Sequence, residues 1–134
     1  MILLDTHVLV RYAVGHRELG KRAVRSIDNA LRKRELAVSA ISFWEVAMLL
    51  EKRRLKLNDT PIAFRALTLR QGIAECTLDG EIAIRSVELT ALHGDPADRI
   101  IAATAIASGA TLITSDAKLL AARLAGLRMQ DGSV

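Results

Sequence analysis

Four acidic side chains stand where short apolar runs give out. Asp5 follows Ile2-Leu3-Leu4 at once, and Glu45 comes shortly after Leu36-Ala37-Val38, behind Ser39 and Ser42. Asp98 belongs to the segment His93-Gly94-Asp95-Pro96-Ala97-Asp98-Arg99, and Asp116 closes Thr114-Ser115-Asp116 behind Thr111-Leu112-Ile113. Carboxylates brought together repel one another and hold their protons more tightly unless a cation neutralises them. Hard divalent ions with oxygen ligands do this, and Mg²⁺ needs only one or two direct carboxylates plus waters. The chemistry such a pocket supports is metal-assisted displacement at phosphorus, with an activated water as nucleophile. The chain offers no other nucleophile: it has no Gly-x-Ser-x-Gly elbow, and Cys76 falls in or beside a predicted strand.

Each acid also has a plainer use. Asp5 or Thr6 fits as the N-cap of a first helix, and Ser115 or Asp116 as that of the last. Ser42-Phe43-Trp44-Glu45 matches a capping box, and Asp95-Pro96-Ala97-Asp98 nearly does. Caps accept Ser, Thr or Asn as readily as Asp, however. Four acids at four such places in a chain of net charge +4 ask for a second purpose.

The elements that must position these residues follow from periodicity. Ile2–Leu4, Leu36–Val38, Ile73–Leu78 and Thr111–Ile113 read as buried strands, with a shorter edge strand at Leu127-Arg128-Met129. Between them, Ala23, Ile27 and Leu31 recur at helical spacing, as do Ala83, Ile84, Val87 and Ala91 opposite Glu81, Arg85 and Glu88. The stretch from Ala97 to Ser108 is small and apolar nearly all round, which predicts a buried helix. Pro61 and Pro96 read as helix starts, where proline is tolerated. Strand alternating with helix predicts a single domain over residues 1–134. Its fold class is α/β, a three-layer α/β/α arrangement with a central parallel sheet of four to five strands. In such folds ligands sit outside the carboxyl ends of the strands, where the acids stand.

Composition narrows the classes. The chain is 51% hydrophobic and 25% charged, which is globular and not disordered. A single cysteine allows no internal disulfide, in keeping with a reducing cytosol. The charge-free stretch from Ile100 to Ser115 is too short and too polar to span a membrane, and Asp5 leaves no room for a signal-peptide apolar region. A cytoplasmic protein with no membrane contact is the expectation. Nineteen Lys and Arg against fifteen Asp and Glu permit binding to phosphate backbones. With only Tyr12, Phe43, Trp44 and Phe64 as aromatics, contact to nucleic acid must rest on charge, hydrogen bonds or metal instead of stacking. Arg22, Arg25 and Arg32, flanked by Lys21 and Lys33, form the best basic track or else a solvated helix face, and Arg99 is placed to touch phosphate, to point to solvent or to bridge Asp95. Lys52, Arg53, Arg54 and Lys56 read as the end of a helix. His7 reads as a locally bonded first-turn residue, His93 as shaping its loop and His16 as part of a surface turn. Phe43 and Trp44 read as core or dimer-interface side chains.

Taken in order, Leu4-Asp5-Thr6-His7, Ser42-x-x-Glu45, Asp95-Pro96-Ala97-Asp98-Arg99-Ile100-Ile101-Ala102 and Thr114-Ser115-Asp116 resemble the PIN-domain nucleases. More closely, the chain is similar to the VapC-type toxins of toxin–antitoxin pairs, over residues 1 to about 130. The resemblance implies an Mg²⁺- or Mn²⁺-dependent RNA endonuclease acting as a toxin. By matching position it implies Asp5 and Asp98 as main metal ligands. Asp116 and Glu45 would complete the catalytic pocket through waters or a second metal, and Thr6, Ser42 and Thr114 would orient the carboxylates. It further implies RNA as substrate, a small cognate antitoxin as partner, and commonly a homodimer.

Two other readings compete. A phospho-receiver domain also carries an acidic Mg²⁺ pocket, but it needs an Asp after the third strand and a lysine after the fifth. Here Asp79 is an awkward substitute for the first, and Met129-Gln130 offer no lysine. A non-catalytic module that keeps the fold and uses its acids only as caps predicts no metal site. A dinucleotide enzyme is disfavoured, since no Gly-x-Gly-x-x-Gly follows the first strand.

Overall fold

The structure, a computed structural model, describes residues 1–15, 18–92 and 94–134. His16 and His93 therefore lie outside the described residues. The chain runs β1 (Ile2–Leu4), α1 (Thr6–Ala13), α2 (Lys21–Arg32), β2 (Leu36–Ser39), α3 (Ala40–Glu51), α4 (Pro61–Arg70), β3 (Ala74–Cys76), α5 (Gly80–Glu88), α6 (Pro96–Ser108), β4 (Thr111–Thr114), α7 (Ala117–Ala121) and β5 (Arg128–Asp131). All five strands are parallel, in the order β3-β2-β1-β4-β5. This is the α/β architecture expected, with helices on both faces, and the expected edge strand exists but runs Arg128–Asp131 instead of Leu127–Met129.

Alternation along β1 splits the core into two layers. Leu4 points with Val38 and Ile113 into a cluster completed by Val8 of α1, Ile27 of α2, Val46 of α3 and Phe64 of α4. Leu3 points the other way with Ala37 and Leu112, onto Ile101 and Ala105 of α6. The buried helix is where the alanine-rich run predicted it, with Ala97 and the five residues from Ile101 to Ala105 buried. Small side chains let it lie close on the sheet. Pro96 begins it at a position where no backbone donor is needed, and Gly109 ends it with φ +66°, a left-handed conformation that glycine adopts without strain. Pro61 likewise opens α4, behind the capping hydroxyl of Thr60.

Three expectations are corrected. The third strand is not Ile73–Leu78 but only Ala74–Cys76, because as an edge strand it pairs on one side alone, with β2. The basic run from Lys52 is not the last turn of a helix: α3 ends at Glu51 with no basic residue in that turn, and Lys52 is its C-cap. The apolar stripe of α5 does not face the core, since Ile84 and Val87 are each 68% exposed. This helix is buried through the short side chain of Ser86 against its neighbour α6, so the wide apolar stripe faces out.

The end of the chain closes onto the start of α2. Gly20, the N-cap, offers no side chain, and the Ala23 amide donates instead to the Val134 oxygen at 2.9 Å. A Cβ at Gly20 would stand 2.0 Å from the Val134 backbone, so only glycine fits. Among the described residues, no helix is long and apolar enough to cross a membrane.

Candidate active site

Strand register sets the site. Leu4 lies level with Val38 on one side and Ile113 on the other, so the residues that follow, Asp5, Ser39 and Thr114, emerge level at the carboxyl edge. The Asp5 amide donates to the Ile113 carbonyl at 3.0 Å, carrying the ladder one residue past β1. The chain then turns straight into α1, with Asp5 as N-cap in extended conformation.

Asp5 is held on both oxygens. The Thr114 hydroxyl donates to Oδ2 at 2.7 Å, and the Thr6 amide donates to Oδ1 at 2.8 Å. Both donors favour the charged form, yet burial outweighs them and pushes the Asp5 carboxyl up from its ordinary value. At only 4% exposed, a lone carboxylate would be costly here.

Glu45 comes from α3. The expected capping box at Ser42–Glu45 does not exist, because the helix starts earlier: Ser39, still in β2, is the N-cap and accepts from the Ile41 amide at 3.2 Å. Ser42 and Glu45 are thereby inside the helix, three apart and on one face, both buried. The Thr6 hydroxyl donates to Glu45 Oε1 at 2.5 Å, and Ser42 Oγ lies 2.9 Å from the same hydroxyl. Burial pushes the Glu45 carboxyl up, and the charges of Asp95 and Asp5 add to it.

Asp98 stands in the first turn of α6, one turn before buried Ala102. No hydrogen bond or ion pair among the described residues engages its carboxyl. Burial first, and then the charges of Asp5, Asp95, Glu45 and Asp116, push its pKa to about 7. Four elements thus bring four acids within electrostatic reach of one. Asp116, N-cap of α7, accepts from the Lys118 amide at 2.8 Å, and its own amide takes the Thr114 hydroxyl as acceptor at 3.0 Å. Capping and clustering are therefore compatible: Asp5 and Asp116 do both.

From the sequence Asp95 reads as a cap and as a partner for Arg99, not as a site acid. It does cap α6, accepting from the Ala97 amide at 3.0 Å, but its charge also bears on Asp98 and Glu45, so five carboxylates share the pocket. The signal was its place in the same Asp95-Pro96-Ala97-Asp98 segment as Asp98. His7 is exposed in the first turn of α1, two residues past Asp5.

The basic residues divide. Gly20 and Ala23 bond to Gly132 and Val134, just past β5, so α2 starts at the carboxyl edge and Arg22 and Arg25 are exposed near it. Arg32 lies a further ~15 Å along the axis and donates to Asn29, away from the acids. Arg99 does not bridge Asp95; it is half-buried, with Nε enclosed and unpartnered among the described residues. Phe43 is half-buried edge-on to Phe64, whereas Trp44 is 54% exposed and not a core residue. Asp79 caps α5 by accepting from the Ile82 amide and follows β3 at the sheet edge, outside the group of acids that acts on Asp98, which leaves the phospho-receiver reading without its acceptor.

Among the described residues no three His, Cys, Asp or Glu side chains are gathered tightly enough to encircle an ion unaided. An ion that takes one or two carboxylates and keeps its waters needs no such cage. The all-oxygen donor set, with Asp98 unbonded and Asp5 keeping a lone pair on each bonded oxygen, fits a hard divalent cation.

Comparison with known proteins agrees with this geometry. The family model of the PIN domain matches residues 2–126. Ribonuclease VapC22 of Mycobacterium tuberculosis is 36% identical over 119 residues, covering 88% of each chain. Among solved structures, VapBC2 from Rickettsia felis bound to a promoter DNA fragment superposes with a TM-score of 0.71 at 22% identity, over 98% of both chains. A toxin–antitoxin complex from Klebsiella pneumoniae gives 0.61 at 25% identity, over 95% of both.

Proposed function

Because this chain belongs to the PIN-domain family, we propose that it is a metal-dependent endoribonuclease, the toxin of a toxin–antitoxin pair, with residues 1–134 acting as one nuclease domain. The observation that carries the reading is Asp98, unbonded and raised to about 7 by burial and by Asp5, Asp95, Glu45 and Asp116 together. Capping alone calls for no such convergence. The relative named a ribonuclease, at 36% identity, supports RNA as substrate.

In this reading Asp5 and Asp98 would hold Mg²⁺ or Mn²⁺, and Asp116 and Glu45 would complete the pocket through waters or a second metal. When bound, the ion lowers the pKa of a water and screens the phosphodiester's charge. Thr114 and the Thr6 amide fix the Asp5 carboxylate, and the Thr6 hydroxyl fixes Glu45, so neither must reorganise when charge moves. Arg22 and Arg25 guide the phosphate backbone toward the edge. The partners proposed on family grounds are an antitoxin protein and a second copy of the chain, and the site of action is the cytoplasm.

The purified chain, free of antitoxin, is incubated with a mixed RNA pool under Mg²⁺, Mn²⁺ or EDTA, beside Asp98→Asn. Cleavage that needs metal and vanishes in the variant supports the reading. Equal behaviour of both proteins in every condition overturns it and favours the capping-only module. Thermal stability gives a second readout: Mn²⁺ at a hundred times its Kd adds ~2.7 kcal/mol to the wild type, and Asp5→Asn and Asp98→Asn lose that gain.

A further inference from the structure

Beside Asp98 the surface opens into a hollow of about 510 Å³, between the segment leading from α5 to α6 and the short helix α7. Its size is that of a small-ligand site, roughly 300–1,000 Å³. Leu92 and Leu119 are buried and form an apolar floor, while Ala91 and Ala122 are too small to fill the space above it. Asp98, from the first turn of α6, and Lys118, from α7, are its charged lining residues.

Among the described residues Lys118 is the only cation lining this hollow. Its side chain is exposed, and among the described residues its ammonium is in no ion pair, although its own amide donates to Asp116. An apolar slot with a free ammonium on its rim, next to an acidic metal-type site, has the shape of one ligand class. Nucleotides pair a flat, largely apolar ring face with an anionic phosphate. An acidic peptide would meet Asp98 and its carboxylate neighbours, and a purely apolar ligand would leave Lys118 without a role.

We infer that this hollow is the subsite for the nucleobase flanking the cleaved phosphodiester, with Lys118 holding the neighbouring phosphate. The inference rests on the nuclease reading. Apart from Asp98 and Lys118, the lining side chains among the described residues carry no donor or acceptor, so the base is selected by size and not by its hydrogen-bonding edge. Cleavage at this subsite accepts purines and pyrimidines alike until the slot is narrowed.

Lys118 and Ala91 are both exposed, so substitutions there leave the fold intact, and unchanged thermal stability verifies it. Steady-state cleavage of short RNAs differing only in the flanking base is measured for the wild type, Lys118→Met, Lys118→Arg and Ala91→Leu. Lys118→Met raises KM about tenfold, which corresponds to ~1.4 kcal/mol, with kcat little changed, and Lys118→Arg restores most of the loss. Ala91→Leu disfavours purines over pyrimidines several-fold. If the wild type cuts RNA and Asp98→Asn does not, but these variants match the wild type in KM and base choice, the subsite is wrong and the nuclease reading stands. If the wild type cuts no RNA under any metal, both fall together.

Discussion

The Thr6 hydroxyl stands 2.5 Å from Glu45 Oε1, so the first residue of α1 fixes the one acidic side chain that reaches the pocket from the middle of a helix. Both residues are buried, and the bond joins two elements that share few other polar ties. Replacing Thr6 by Val keeps the shape and removes the donor. Leaving the buried carboxylate short of a partner costs ~1–3 kcal/mol, read as a lower urea midpoint with unchanged slope. Thr6→Ser recovers most of the loss. A matching fall and recovery in RNA cleavage places Glu45's orientation in the reaction.

Acidity runs opposite to the usual case. The folded chain raises Asp98 from 3.8 to about 7, and it raises Asp5 and Glu45 as well. The native state therefore binds protons more tightly than the unfolded chain. The stability this contributes is full below about pH 4 and is lost as pH rises through 7. Without metal, the melting temperature of the wild type falls by several degrees between pH 5 and pH 8. Asp98→Asn flattens that slope and is the more stable protein at pH 8. Saturating Mg²⁺ or Mn²⁺, which binds the deprotonated form, reverses the order at pH 8. A wild type whose stability rises over this range without metal contradicts the account.

Helices α5 and α6 respond differently to the same kind of change. Ile84→Lys or Val87→Glu on the outward stripe of α5 alters the isolated chain's stability by no more than ~0.5 kcal/mol. Ile101→Ala, in the layer between α6 and the sheet, costs ~2–5 kcal/mol. Denaturant titration of the three variants decides it, and equal losses would mean that α5 is packed inward after all.

That contrast marks where the sequence was readable. The ends of β1 and β4 were legible to within one residue because an apolar run followed by Asp or Thr leaves little choice: Leu4-Asp5 and Ile113-Thr114 lie level in the sheet, and their chemistry follows from that register. The buried α6 was legible from its alanines. The start of α3 was not, since a strand running straight into a helix hides its cap inside the strand, at Ser39. Nor was the exposure of α5, because periodicity reports that a helix has an apolar side and says nothing about which neighbour covers it. Asp95 was overlooked as a site acid because its capping role already explained it.

The basic track separates along α2. Arg22→Ala and Arg25→Ala each weaken binding of uncut RNA by Asp98→Asn protein and lower the slope of log K against log salt by about 1. Arg32→Ala, at the far end and already engaged with Asn29, leaves both unchanged. Filter binding at several salt concentrations measures it. Three equal effects would mean that the RNA runs down the whole helix.

The bond from Thr114 to Asp5 joins residues 109 positions apart. A ribosome adds roughly 5–20 residues each second, so about 5–20 s of synthesis separate the acid from the hydroxyl that clamps it. A nascent chain cannot assemble the pocket in that interval. Products released early, by a broken message or a stalled ribosome, carry Asp5 with no β4 beside it. The pocket is therefore complete only in chains that extend past Thr114 at the end of β4.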